Sequence, residues 1–246
     1  MNLLAIEEFK QANAELTSRI GERAAGLRTR IDAAAKAAGR DPAEVHLIAV
    51  TKFFAAATAA AAVQAGLKDL GENRVQELVP KQEALLAMGL EPRWHLIGTL
   101  QRNKVKYILG RTHLIHSVDS LHLLHEISKR SQNAGLETSV LLQLNPAEEE
   151  SKHGFSPSGF AAAAKEALKL PALKFRGLMA MAPLVEAPEE TLPYFRLSNE
   201  LYQEFCFIHN SQLPGQPLPD VLSLGMSQDF EQAIACGSTH VRIGSA

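Results

Sequence analysis

Cysteine is nearly missing from this sequence, with two in 246 residues. Cys206 and Cys236 form neither a C-x-x-C pair nor a metal-ligand spacing, so neither a zinc site nor a redox motif is supported and buried free thiols are expected. An excess of charge of one sign is also lacking: 25 Lys and Arg stand against 27 Asp and Glu, a formal net charge of -2. No basic field is available for nucleic acid or for an anionic lipid surface, and neither is an expected partner. Long apolar runs are absent too. The start, MNLLAIEEFK, carries acidic residues and too short an apolar stretch for a signal peptide, and nothing later approaches a membrane span. The expected location is cytoplasmic. Finally, no Pro, Gly or Ser linker divides the chain; QLPGQPLP, at 212–219, reads as one extended loop, so residues 1–246 are expected to form a single domain.

What is present is a rhythm. From about Leu3 to Ala38 the apolar residues Leu16, Ile20, Leu27 and Ile31 recur at helical spacing, which predicts a long amphipathic helix. Gly21 and Gly26 weaken it by about 1 kcal/mol each relative to Ala, making a kink or break plausible, and Gly39 with Asp41-Pro42 supplies a stop. Eight β-prone runs follow, at 45–52, 67–72, 94–98, 113–118, 139–145, 175–181, 221–225 and 240–244. Between them lie segments that read as helices, at 56–65, 74–88, 121–133, 157–169, 191–209 and 228–235. Apolar strands alternating with helices call for a parallel sheet covered on both faces. Eight such units favour a single closed (β/α)8 TIM barrel with an extra long N-terminal helix over an open doubly wound sheet.

A parallel barrel builds its chemistry at the C-terminal ends of its strands. In AVTKFFAAATAAAAV, residues 49 to 63, Lys52 stands where the first run ends and an alanine-rich helix begins. Once neutral, such an amine attacks carbonyls and forms a Schiff base. The bland alternative is a lysine whose stem packs at the barrel mouth while its ammonium reaches water or a carboxylate such as Glu72. Farther on, Ser223, Gly225 and Ser227 precede a helix expected from Gln228, and Gly244-Ser245 follow the last run. Loops after the seventh and eighth strands of such barrels often bind phosphate. A reactive amine with a phosphate cradle describes a phosphorylated aldehyde as ligand. Arg242 lies on the last run, and alternation does not decide whether it faces inward or outward.

The motifs AVTK, GENRVQE, WHLIGTLQRNK, HSVDS, SKHGF, RGLMAM and LSLGMSQDFEQAIACGSTHVRIGSA occur in this order over nearly the whole chain. Together they closely resemble the pyridoxal phosphate homeostasis protein family. The resemblance implies an alanine racemase N-terminal-like barrel that holds pyridoxal 5'-phosphate (PLP), the vitamin B6 cofactor, as a Schiff base on Lys52. It further implies Arg242 facing the pyridine nitrogen, with Ser223, Ser227, Gly244 and Ser245 around the phosphate. Asn73, His95 and Met181 match motif positions near the cofactor. Two departures stand out: Ala55 replaces a proline usual in relatives, and the sequence ends at Ala246 where relatives continue.

An arginine opposite the pyridine nitrogen weakens the ring as an electron sink. Racemisation also needs a second proton-transfer group, and Tyr107, Tyr194 and Tyr202 all fall in helical stretches. The expected function is therefore PLP homeostasis as a carrier or buffer without turnover, in a monomer or weak homodimer, with PLP-dependent apoenzymes as partners. The alternatives are a PLP-dependent amino-acid racemase or lyase, and a Schiff-base sugar-phosphate aldolase.

Overall fold

Each short apolar run becomes a strand, and the eighth pairs back onto the first. In the computed structural model, which describes residues 3–149 and 152–244 and side chains from residue 13 onward, eight parallel strands form a closed barrel in chain order. They are β1 His46–Val50, β2 Asp69–Glu72, β3 Arg93–Leu96, β4 Leu114–Val118, β5 Thr138–Gln143, β6 Leu173–Met179, β7 Val221–Ser223 and β8 His240–Ile243. Closure is set by β1 against β8, with Leu47 opposite Val241 and Ile48 opposite Arg242. The helices are α1 Leu3–Ala37, α2 Ala56–Gln64, α3 Val75–Ala87, α4 Leu121–Asn133, α5 Phe160–Ala167, α6 Leu192–Gln212 and α7 Phe230–Ala235. Between β3 and β4 the connection carries only a 3-10 segment, Arg102–Tyr107.

Seven of the strands are shorter than the apolar runs that announced them, and β6 keeps the length of its run but begins and ends two residues earlier. Lys52, Asn73, Gly98, Asn145, Met181, Gly225 and Gly244 therefore lie just past strand ends, in the loops of one rim. The segment expected as a helix at 157–169 opens with a 3-10 turn, Pro157–Gly159, capped by the Ser156 hydroxyl.

The expected break in the N-terminal helix does not occur: α1 runs unbroken through Gly21 and Gly26. The cost of those glycines is offset by tertiary packing, since α1 lies against both α2 and α7 and fills the place that a helix after β8 would take. Ile31 and Ala35 of α1 pack with Val45, Phe230, Ile234, Val241 and Ile243 in a separate core cluster behind the closing strand pair. Burying a side chain such as Ile31 fully is worth about 1.5–3 kcal/mol. The helix thus seals the seam. No helix among the described residues is long and apolar enough to cross a membrane.

Candidate functional site

Lys52 sits in a tight turn, not in the strand itself. The Phe54 N–H donates to the Thr51 carbonyl at 3.2 Å, and Phe53 adopts a φ of 68°, a left-handed conformation that suits Gly or Asn. Both neighbours of Lys52 are clamped from α3. The Phe53 N–H donates to Glu77 Oε2 at 3.0 Å, while Lys81 Nζ donates to the Thr51 carbonyl at 2.7 Å and to Glu72 Oε1 at 2.6 Å. Thr51 Oγ1 completes the set with a 2.7 Å bond to the same Glu72 oxygen.

The carboxylate offered as a partner for Lys52 is therefore taken. Glu72 is fully buried, with Oε1 taken by Lys81 and Thr51 and Oε2 without a hydrogen-bond partner among the described residues, and its burial pushes its pKa up against those two hydrogen bonds. Among the described residues, none of the ion pairs involves Lys52; its Nζ lies 5.7 Å from the centre of the Phe53 ring. Lys81, which does the clamping, carries no signal in the sequence beyond its helical spacing from Glu77.

A wide-mouthed cavity of about 1380 Å³ opens at this rim, lined by Lys52, Asn73, Met181, Ser227, Arg242 and Gly244 among others. Six of the nine predicted site residues thus line one cavity. Gly98 explains how Asn73 is set: a Cβ there would stand 2.4 Å from the Asn73 carbonyl, so the loops after β2 and β3 touch. Gly244 is similarly tight, with Val50 Cβ and O both 2.9 Å from where its own Cβ would be. Its N–H points to Ser227 Oγ at 3.4 Å. The loop before it is held by Asp229, whose Oδ1 accepts the Met226 N–H at 2.6 Å. Burial pushes the Asp229 pKa up, opposed by that bond. The helix expected from Gln228 begins later, at Phe230, because Asp229 is turned to serve the loop. Ser245 lies outside the described residues.

Two predicted residues are placed elsewhere. Ser223, expected at the phosphate, is fully buried and does not line the cavity. Its hydroxyl receives Arg242 Nη1 at 2.6 Å, and its carbonyl receives the same nitrogen at 2.7 Å. Arg242 faces inward and is almost completely buried, with Nη2 donating to the Ala180 carbonyl at 3.0 Å; burial lowers its pKa to about 10. His95 does not line the cavity either; it is 1% exposed, with Nε2 at 3.0 Å from Asp69 Oδ1 and Nδ1 at 2.9 Å from His116 Nε2. His116 reaches Ser223 Oγ at 3.0 Å. Sequence reading missed Asp69, Lys81, His116 and Asp229; for His116 the signal was its inward position by alternation along β4.

A parallel barrel with a lysine just past its first strand and glycine and serine loops after its last two is the architecture of the alanine racemase N-terminal domain. The sequence model of that family, "Alanine racemase, N-terminal domain", matches residues 24–246. The alanine racemase of E. faecalis shares the fold, with a TM-score of 0.60 at 17% identity over 89% of this chain and 57% of that one. More similar by far is the Aquifex aeolicus pyridoxal phosphate homeostasis protein, 42% identical over 224 residues, covering 91% of this chain and 95% of its own. PipY of Synechococcus elongatus, solved with PLP bound, aligns with a TM-score of 0.77 and 34% identity over 92% of this chain and 98% of that one. This chain belongs to the pyridoxal phosphate homeostasis protein family.

Proposed function

We propose that the chain binds PLP at this cavity, holds it as a Schiff base on Lys52, and acts in PLP homeostasis as a carrier or buffer. The observation that carries the reading is the convergence of the Lys52 amine, the Arg242 guanidinium and the Ser227–Gly244 loop pair on one cavity. That donor set suits the group. An amine, a cation and a tightly apposed glycine backbone match an aldehyde, a ring nitrogen and a phosphate in turn. PLP would supply the aldehyde, with which the amine condenses as one water leaves.

The residues of this chain then do the holding. The clamp on Thr51 and Phe53 fixes the backbone on either side of Lys52. Arg242 has three hydrogen bonds to protein and retains N–H groups for a ring acceptor. A guanidinium offers that acceptor a hydrogen bond without giving up its proton, which leaves the ring a weak electron sink. None of the three tyrosines lines the cavity, and Tyr202 is spent on the Pro219 carbonyl at 2.7 Å. This supports carriage over racemisation, which needs a second proton-transfer group on the opposite face.

The test is borohydride reduction of PLP-loaded protein followed by peptide mapping. The expected product is a reduced adduct on Lys52 that disappears in Lys52→Ala; a label on another lysine, or none, would sink the assignment. Amino-acid turnover that is present in purified protein and lost in Lys52→Ala would overturn the carrier reading.

A further inference from the structure

Five side chains cross the barrel interior in single file. The file begins at Asp69, the first residue of β2, and passes through His95 on β3 and His116 on β4 to Ser223 at the end of β7 and Arg242 on β8. The successive contacts are 3.0, 2.9, 3.0 and 2.6 Å. At the far end Arg93 donates to the other Asp69 oxygen at 2.6 Å.

The direction of every hydrogen bond in this file is fixed by its ends. Burial works to raise the Asp69 pKa, but hydrogen bonds from His95 and Arg93 outweigh it and bring it to about 2, so the carboxylate only accepts. Arg242 only donates. His95 therefore carries its proton on Nε2, and its Nδ1 must accept from His116 Nε2–H. That leaves His116 Nδ1 to accept the Ser223 hydroxyl proton, and Ser223 Oγ to accept from Arg242. Burial lowers the pKa of both histidines, in keeping with neutral rings that each give one bond and take one. With both rings neutral, no other arrangement of protons satisfies all four contacts.

We propose that Asp69, His95 and His116 are positioning residues for Arg242, setting the Ser223 hydroxyl as an acceptor and thereby fixing the guanidinium as the donor to the cofactor's ring nitrogen. The inference rests on the reading that Arg242 faces the ring nitrogen. Its physical content is remote control of the ring's hydrogen-bond donor from the opposite end of the barrel. An Asp69→Asn change lets an amide donate to His95 Nε2 and invites the file to reverse. In the reversed file His116 and Arg242 both point protons at Ser223 Oγ, whose own proton loses its acceptor on His116 and must turn elsewhere, so the hydroxyl that anchors the guanidinium is no longer held in place.

The experiment uses the full chain loaded with PLP carrying ¹⁵N in the ring, read by the ring nitrogen's chemical shift and by PLP affinity. Arg242→Ala moves the ring signal and gives the reference position. Asp69→Asn and His116→Phe are expected to move it toward that position and to weaken PLP binding about tenfold, the scale of one lost hydrogen bond. His116→Gln, which keeps a donor and an acceptor, is expected to hold the wild-type signal. In an Arg242→Ala background, His116→Phe should weaken binding no further. A wild-type ring signal in Asp69→Asn or His116→Phe overturns the inference, as does an equal loss of affinity from His116→Phe with and without Arg242. Should His116→Phe fail to fold, the near-isosteric Asp69→Asn decides alone. If Arg242→Ala itself leaves the ring signal unmoved, the placement of Arg242 against the ring nitrogen falls, and this inference with it.

Discussion

Phe53 holds a left-handed backbone at 68° while its side chain is 75% exposed, so little packing compensates for the strain. A non-glycine residue there costs on the order of 1–2 kcal/mol, and strain of this kind collects where a neighbour must be held in place. The neighbour is Lys52. Replacing Phe53 by glycine should raise the unfolding free energy by about 1 kcal/mol in urea titrations and loosen PLP binding. A stability loss instead would show that the ring packs more than its exposure indicates. Lys52 was legible in the sequence because one charge at a strand-to-helix seam is conspicuous. Its clamp was not, because Lys81, Glu72 and Thr51 belong to three elements and meet only through the barrel.

At the scale of elements, β6 depends on a single missing side chain. Its pairing with β5 shifts register between Phe175 and Gly177, and Gly177, at a φ of 141°, lies so close to β7 that a Cβ would stand 1.8 Å from the Val221 carbonyl. Gly177→Ala must push the two strands apart, with an expected loss above about 3 kcal/mol or failure to fold, measurable by thermal melting. A variant as stable as the wild type would mean that the contact relaxes freely. The motif RGLMAM announced a strand here, yet nothing in it shows that its glycine answers to a carbonyl on β7. In α1 the sequence misleads the other way. Gly26 has nothing within 4 Å of its would-be Cβ and Gly21 only Ala65 at 3.9 Å, so neither glycine makes a close approach, and the helix is sustained by its neighbours.

At the scale of the molecule, the barrel interior carries neutral histidines. His95, His116 and His240 are each held below the ordinary histidine pKa, chiefly by burial. Below pH about 6.5 the unfolded chain takes up protons that these rings refuse, so stability is full above that pH and falls as the solution is acidified. These rings make the unfolding free energy fall as the pH is lowered from 7 toward 5.5. Asp69 adds nothing in that window, since its depressed pKa matters only below the ordinary carboxylate range. Glu72 and Asp229, whose pKa values burial raises, work the other way as the pH falls, so the check is the difference between wild type and His240→Phe in urea denaturation: equal pH slopes would refute the neutral ring. By itself the sequence determined the alternation, the closed barrel and the rim positions of Lys52, Ser227 and Gly244, because periodicity and strand ends are local properties of the chain. Only the tertiary structure decided that Arg242 points inward, that Ser223 supports it instead of lining the cavity, and that Asp69, His95 and His116 lie behind both. Those facts depend on which strands face one another across the barrel, and on burial that obliges polar groups to find their partners within the protein.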